Sequence, residues 1–239
     1  MSTTSVGVRL LSAANRAVRR TVYRSPAATR LLFGSTLRPC GASSFWELGT
    51  LAIRQALARD LRDGMRVVEV GTGPYATLAL WAARRWRLEV VATELVEEWA
   101  SWARQSAESN GLQVDVRCTD LLAGVEGSFD VAWFVPPFTP RAVFEMQMRD
   151  TGLSDDEERR RQAVRTCGGE MGWEVLDRFL AAVGPRLRPG GRAYVCVNHV
   201  HQSPGTVRRL AVERGLRVVR EQRLPLLPYS VVVVAAGGA

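Results

Sequence analysis

The chain has 239 residues, 46% of them hydrophobic, which is enough to bury the core of one α/β domain and carry an accessory segment. No apolar run approaches the roughly 20 residues of a membrane-crossing helix, and the opening stretch lacks the uninterrupted apolar centre of a secretory signal, so a cytoplasmic protein with no membrane partner is expected. The formal charge of +8 is concentrated in residues 1–60, which hold nine arginines and two acids; the remainder is nearly neutral, which argues against a nucleic-acid-binding surface spread over the whole chain.

In chain order, helical patterns occupy roughly Val8 to Arg20 and Ser44 to Leu61, the second opening on Ser-Ser as an N-cap. Strands are then read at Arg66–Val70, Leu88–Thr93, Gln113–Cys118, Phe129–Phe134, Arg192–Asn198, Leu216–Arg223 and Ser230–Ala235. Helices fall between them near Tyr75–Arg85, Val96–Asn110, Met171–Leu187 and Gly205–Arg214. Repeated strand-helix units predict a parallel sheet covered on both faces, and the last two strands, with no helix between them, predict a terminal hairpin. The expected organisation is an N-terminal helical extension over 1–61 and an α/β domain over 62–239, with residues 141–169 inserted. That insertion is longer than usual connections, and Ser154 with Glu157 fits a capping box. It is expected to form a lid, the alternative being a charged surface helix.

The most informative segment is Arg66 to Leu80, RVVEVGTGPYATLAL. A short apolar strand carrying Glu69 turns through Gly71 and Gly73 into a helix, and glycines let backbone approach a ligand while the helix offers unpaired N–H groups. Alone the pattern is common. About 25 residues on, LEVVATEL ends in Glu94, the spacing at which an acid meets ribose hydroxyls after a strand-helix-strand unit. A third element, FDVAWFVPPF, reads as a buried strand broken at Pro136 and Pro137, because successive prolines cannot continue a central ladder; a hydride-transfer enzyme has no reason to carry it.

With these elements the chain resembles the class I S-adenosylmethionine-dependent methyltransferases, and within them the HemK/PrmC-type glutamine methyltransferases. The resemblance runs from about Leu37 to the C-terminus and includes Thr50, the glycine turn, Asp120-Leu121 in RCTDLL, the Pro-Pro-Phe loop and the block from Gly168 to Gly191. It implies a Rossmann-like α/β fold with a seven-stranded, mostly parallel sheet, helices on both faces and an antiparallel last strand. It also implies S-adenosyl-L-methionine as cofactor, held by Thr50, Glu69, Gly71, Thr72, Gly73, Glu94, Leu95, Asp120, Leu121 and Val135. The acceptor site would draw on Val135, Pro136, Pro137, Phe138, Trp46 and Trp173.

Two departures matter. Tyr75 stands where the family's turn usually has a third glycine, and Val135 replaces the Asn of the family's Asn-Pro-Pro-aromatic loop. In such enzymes the Asn oxygen and a loop carbonyl accept the two hydrogens of a planar nitrogen. A buried N–H left without a partner costs roughly 1–3 kcal/mol, so Val135 argues against the usual glutamine acceptor. Phe138 remains able to stack on a planar or cationic group.

Methyl transfer from a sulfonium needs mainly an aligned nucleophile, and a general base only if that nucleophile arrives protonated. His199 and His201, in VNHVHQ after the fifth core strand, lie at the sheet edge where ligands bind in open α/β folds and are the candidate catalytic residues; the alternative is a polar strand end facing water. Trp81, Trp86, Trp99, Trp102 and Trp133 read as core or sheet-cover residues. Four cysteines without metal-ligand spacing read as reduced thiols, with no metal site. The leading expectation is a methyltransferase acting on nitrogen, or oxygen, of a small-molecule acceptor such as a specialised metabolite or amino-acid derivative. The alternatives are a protein glutamine or nucleic-acid base N-methyltransferase that docks through the Arg-rich N-terminal arm, and a non-catalytic cofactor- or partner-binding module.

Overall fold

The computed structural model describes residues 21–38, 40, 45–151, 155–225 and 227–237. The helix expected over 8–20, Ser44 and Ser154 lie outside them. In chain order the elements are α1 (Pro26–Phe33), α2 (Leu48–Leu57), β1 (Arg66–Val70), α3 (Thr77–Arg85), β2 (Glu89–Glu94), α4 (Glu97–Ser109), β3 (Asp115–Cys118), β4 (Phe129–Phe134), β5 (Thr139–Pro140), α5 (Arg141–Thr151), α6 (Asp156–Thr166), β6 (Cys167–Gly169), α7 (Glu174–Val183), β7 (Leu187–Asn198), α8 (Pro204–Glu213), β8 (Leu216–Arg223) and β9 (Tyr229–Ala236).

Seven strands form one sheet in the order β3-β2-β1-β4-β7-β9-β8. The pairs β3/β2, β2/β1, β1/β4 and β4/β7 are parallel, and β9 runs antiparallel to both β7 and β8. The expected terminal hairpin is therefore present. Alternation along the strands assigns the faces. Val67, Val131, Trp133, Tyr194 and Val233 pack with residues of α1 to α4 on one side, while Val68, Val70, Phe134, Val195 and Val234 pack with Leu176, Phe179, Leu180, Val207 and Leu210 of α7 and α8 on the other. Trp133 is fully buried at the centre. Tyr23, Phe33, Trp46 and Ile53, from the segment expected to be an extension, join the first of these cores.

Two local expectations are corrected, and one helix was not foreseen. α2 starts at Leu48, not Ser44, because Glu47 is its N-cap: its side chain accepts from the Thr50 N–H, and the Thr50 hydroxyl accepts from the Glu47 N–H at 3.1 Å. Asp155 caps α6, with Oδ1 accepting from Glu157 and Glu158 N–H at 2.8 and 3.2 Å. α1 was not read from the sequence, although Ser25 caps it, Pro26 opens it and Gly34 closes it in the left-handed conformation. No described helix is long and apolar enough to cross a membrane.

Candidate active site

A cavity of about 1650 Å³ opens at the carboxyl ends of β1, β2, β4 and β7. That is more room than one small-molecule site commonly occupies, and suits a cofactor with an acceptor beside it. Its lining includes, of the expected cofactor set, Thr50, Glu69, Gly71, Thr72, Gly73, Glu94, Leu95, Asp120, Leu121 and Val135, and, of the expected acceptor set, Trp46, Pro136, Pro137 and Phe138, together with His201. Trp173 and His199 are not on its wall. The Trp173 ring instead lies under the Arg209 guanidinium, 5.4 Å from its centroid, and His199 Nε2 sits 3.0 Å from Ser230 Oγ.

The turn after β1 is built for close approach. Gly71 has φ +65°, and a Cβ there would come within 3.2 Å of the Phe134 ring, whereas a Cβ at Gly73 would project into open space. Thr72 N–H donates to the Thr93 carbonyl at 2.9 Å, tying the turn to β2. Ala76, just before α3, takes a left-handed φ of 48°, and Leu121 takes 51°; these are the two described non-glycine residues with positive φ, and both flank the cavity, where backbone strain concentrates at working sites. Tyr75, in place of a third glycine, stays on the cavity wall while reaching the N-terminal segment. Its hydroxyl donates to the Cys40 carbonyl at 2.9 Å and accepts from Cys40 N–H, and its ring meets Phe45 edge-on, so it fastens the N-terminal segment to the turn.

Two buried acids organise the cradle. Glu69 Oε2 accepts from the Thr72 hydroxyl at 2.6 Å and from the Ala79 N–H at 3.0 Å, capping the start of α3. Burial pushes its pKa up to about 7, against the pull of the Thr72 hydroxyl. Glu94 accepts from Gly73 N–H at 2.9 Å, Leu95 N–H at 2.8 Å and Val96 N–H at 3.1 Å; burial raises its pKa and these N–H groups oppose the rise. Asp120 pairs with Arg178 of α7. One observation agrees with a polar ligand such as an adenosyl sulfonium in the cradle: Thr93 lines the cavity, and its Oγ1 is buried with no hydrogen-bond partner in the protein.

The Pro-Pro-Phe loop is braced from below. β5 pairs with β6 in a two-stranded parallel sheet that sequence reading missed, and a Cβ at Gly168 would fall 2.6 Å from the Pro137 carbonyl oxygen. Only glycine permits that approach. Phe138 stacks on His201 at 5.8 Å and 19°, so one face of the ring expected to receive substrate is already taken. Burial holds the His201 pKa below its ordinary value, which leaves the imidazole neutral and able to accept a proton near neutral pH.

Polar groups that the sequence did not single out complete the wall. Asn198, buried at the end of β7, accepts from the Val200 N–H through Oδ1 at 3.0 Å and donates through Nδ2 to the Tyr229 hydroxyl at 3.3 Å. A Cβ built on Gly49 would lie 3.2 Å from Val135 Cγ1 and 3.8 Å from Tyr229 Cε1, so both side chains converge on this turn of α2. The adjacency of Asn198 to the two histidines in VNHVHQ was the available signal.

The insertion contributes Gln147, Gln162 and Arg165 to the cavity wall. From α6, Arg161 pairs with Glu98 of α4 at 2.6 Å and Arg165 approaches Glu47 at 3.9 Å, so the helix is tied to elements on both sides of the cofactor cradle. Neither pair is deeply buried, and each is worth little alone. If the insertion works as a lid, the double variant Arg161→Ala/Arg165→Ala should release bound cofactor about three to ten times faster and lose the cofactor's protection of residues 141–169 from trypsin. Stopped-flow displacement and limited proteolysis measure both; unchanged rates and unchanged cleavage would make α6 a passive surface helix.

No family model matches the chain. It is 35% identical over 126 residues to the release factor glutamine methyltransferase of Deinococcus radiodurans, covering 53% of this chain and 43% of that protein. It is 30% identical over 129 residues to the ribosomal protein L11 methyltransferase of Thermotoga maritima, covering 51% and 48%. The chain thus spans less than half the length of each of these relatives. Among solved structures, a methyltransferase from Pyrococcus furiosus superposes with a TM-score of 0.68 at 21% identity over 94% of this chain and all of that one. The 16S rRNA N2 G1207 methyltransferase of Thermus thermophilus, solved with S-adenosylmethionine and guanosine, gives 0.56 at 21% over 80% of this chain and 43% of that one. At these identities the structural likeness speaks for the fold.

Proposed function

We propose that this chain, an S-adenosylmethionine-dependent methyltransferase of class I, methylates a nitrogen of a protein side chain. The observation that carries the reading is one continuous cavity in which the Glu69-Gly71-Gly73-Glu94 cradle meets the Val135-Pro136-Pro137-Phe138 loop. The named substrates of the two sequence relatives, a release factor and a ribosomal protein, support a protein acceptor over the small molecule expected from sequence.

When bound, S-adenosylmethionine supplies a methyl group already activated on a sulfonium. The chain's own residues then have to bind, orient and exclude water. Glu94, held in place by three backbone N–H groups, would offer carboxylate oxygens to ribose hydroxyls; Glu69, once ionised, would set a negative charge beneath the turn. Asp120 and Leu121, on the cavity wall, would help hold the nucleoside, and Pro136 and Pro137 would limit the freedom of the loop beside the acceptor. Val135 withdraws the side-chain acceptor found in related loops, and the Tyr229 ring, whose hydroxyl accepts from Asn198 Nδ2, stands with Val135 against Gly49. His201, stacked on Phe138 and with its pKa lowered by burial, would take a proton from an acceptor that arrives protonated.

The test is transfer of a labelled methyl group from S-adenosylmethionine to a glutamine-containing peptide, compared with free amino-acid amides. Label in the peptide is the expected result. Val135→Asn should raise that transfer about tenfold by restoring an acceptor to the amide N–H. A second reading, the small-molecule acceptor, is favoured by Val135 and by the insertion's position over the cavity; label confined to small molecules, with Val135→Asn neutral or harmful, would establish it. Cofactor binding with no transfer to any acceptor would instead indicate a non-catalytic module.

A further inference from the structure

Away from the cavity, on the flank formed by α1, α2 and α3, four arginines lie without a carboxylate partner among the described residues, the nearby Asp63 being taken by Arg87. Arg54 of α2 is half-buried between two rings, its guanidinium carbon 5.7 Å from the Phe33 centroid and 5.5 Å from that of Trp81. Its Nε is buried and has no hydrogen-bond partner. Burial, and then the neighbouring Arg85, push its pKa below the ordinary arginine value. Arg85 lies 5.5 Å over Trp86, which meets Trp81 edge-on at 5.2 Å. Arg84 reaches across to α1, its Cδ 3.0 Å from where a Gly34 Cβ would stand, and donates to Asn110 Oδ1 at 3.2 Å. Arg30 is exposed in the last turn of α1.

Among the described residues none of these four arginines pairs with a carboxylate, whereas Arg161, Arg178, Arg192, Arg208, Arg209 and Arg214 each do. Like charges held near one another on aromatic faces, with no counter-charge, raise the energy of the free protein. An anion lowers it. Guanidinium forks fixed on rings have lost most of their rotamer freedom and match phosphate oxygens bidentately. Four guanidinium groups with no carboxylate partner among the described residues suit a ligand of uniform negative charge better than a mixed-charge protein surface.

We propose that the α1–α2–α3 flank binds the phosphate backbone of RNA, with Arg54 and Arg85 at its centre and Arg30 and Arg84 beside them. None of the four lines the cofactor cavity, so the proposal stands apart from the choice of acceptor. The contact is to backbone, not to base edges, so binding is strongly salt-dependent and tolerant of sequence.

The test is fluorescence anisotropy with a labelled single-stranded RNA of about 20 nucleotides, titrated at about 50 and about 200 mM salt. Affinity should fall at least about tenfold across that range. Arg30→Glu/Arg85→Glu, both exposed positions, should weaken RNA binding about tenfold or more, while Arg149→Glu/Arg217→Glu, exposed elsewhere and equal in net charge, should weaken it less than about threefold. S-adenosylmethionine affinity should be unchanged in both variants, which verifies their folding independently of RNA. No binding to RNA at the lower salt, equal losses in the two variants, or tighter binding to a polyglutamate peptide of similar length would each overturn the proposal.

Discussion

Glu94→Ala is expected to weaken S-adenosylmethionine binding by about 100- to 1000-fold. The buried carboxylate accepts three backbone N–H groups, from Gly73, Leu95 and Val96, and so joins the glycine turn of β1 to the end of β2. Alanine removes the acceptor proposed for the ribose hydroxyls and also the connection between the turn and β2. Two lost charge-assisted hydrogen bonds at roughly 1.5–3 kcal/mol each, partly offset by water entering the space, give a loss of about 3–4 kcal/mol. Glu94→Gln keeps one acceptor oxygen and should lose only about tenfold. Calorimetry on the purified variants reads the affinities, and a thermal melt of each separates loss of binding from loss of fold. An alanine variant within about threefold of the parent would remove Glu94 from the cofactor site.

Glu69 should make both stability and cofactor affinity depend on pH, in opposite directions. Its folded pKa is about 7 against an ordinary 4.5, so the folded state binds this proton more tightly than the unfolded chain. The contribution is therefore fully present below about pH 4.5, declines by about 1.4 kcal/mol per pH unit, and is gone once pH passes about 7, roughly 3 kcal/mol in all. A cationic ligand reverses the preference, because it favours the ionised carboxylate. Affinity for S-adenosylmethionine should rise between about pH 6 and 8, with a proton released on binding near pH 6.5. Glu69→Gln should flatten both profiles. Urea melts across pH, and calorimetry in buffers of different ionisation enthalpy, test the pair; a proton taken up on binding would contradict the assignment.

How far these features were legible in the sequence depends on how local their causes are. β1, β4 and β8 fall on Arg66–Val70, Phe129–Phe134 and Leu216–Arg223 as read, because an unbroken or alternating apolar run states its own boundaries. The start of α2 was misplaced because Ser-Ser is a stronger local cap signal than Glu47, whose part depends on the reciprocal bond from Thr50. β5 and β6 span two and three residues, too short for any period, and exist because Gly168 lets the backbone meet Pro137. That Glu69, Gly71, Gly73 and Glu94 come together on one cavity wall follows from the strand-turn-helix-strand spacing. Asn198 and Tyr229 were not: they lie 31 residues apart on antiparallel strands and meet only through the β7/β9 register. The same holds for Arg161 and Arg165, whose partners Glu98 and Glu47 belong to other layers of the fold. Phe138 shows the limit of motif reading: it lines the cavity, but the ring it stacks on is the chain's own His201.

The cavity bounded by Glu69, Gly71, Gly73 and Glu94 is proposed to hold an adenosyl sulfonium. Isothermal titration of the full chain with S-adenosylmethionine, its demethylated product and a nicotinamide dinucleotide tests it most directly. One-to-one binding of the first two, and none of the third, is predicted. Heat from the dinucleotide alone, with the sulfonium and its product inert, would contradict it.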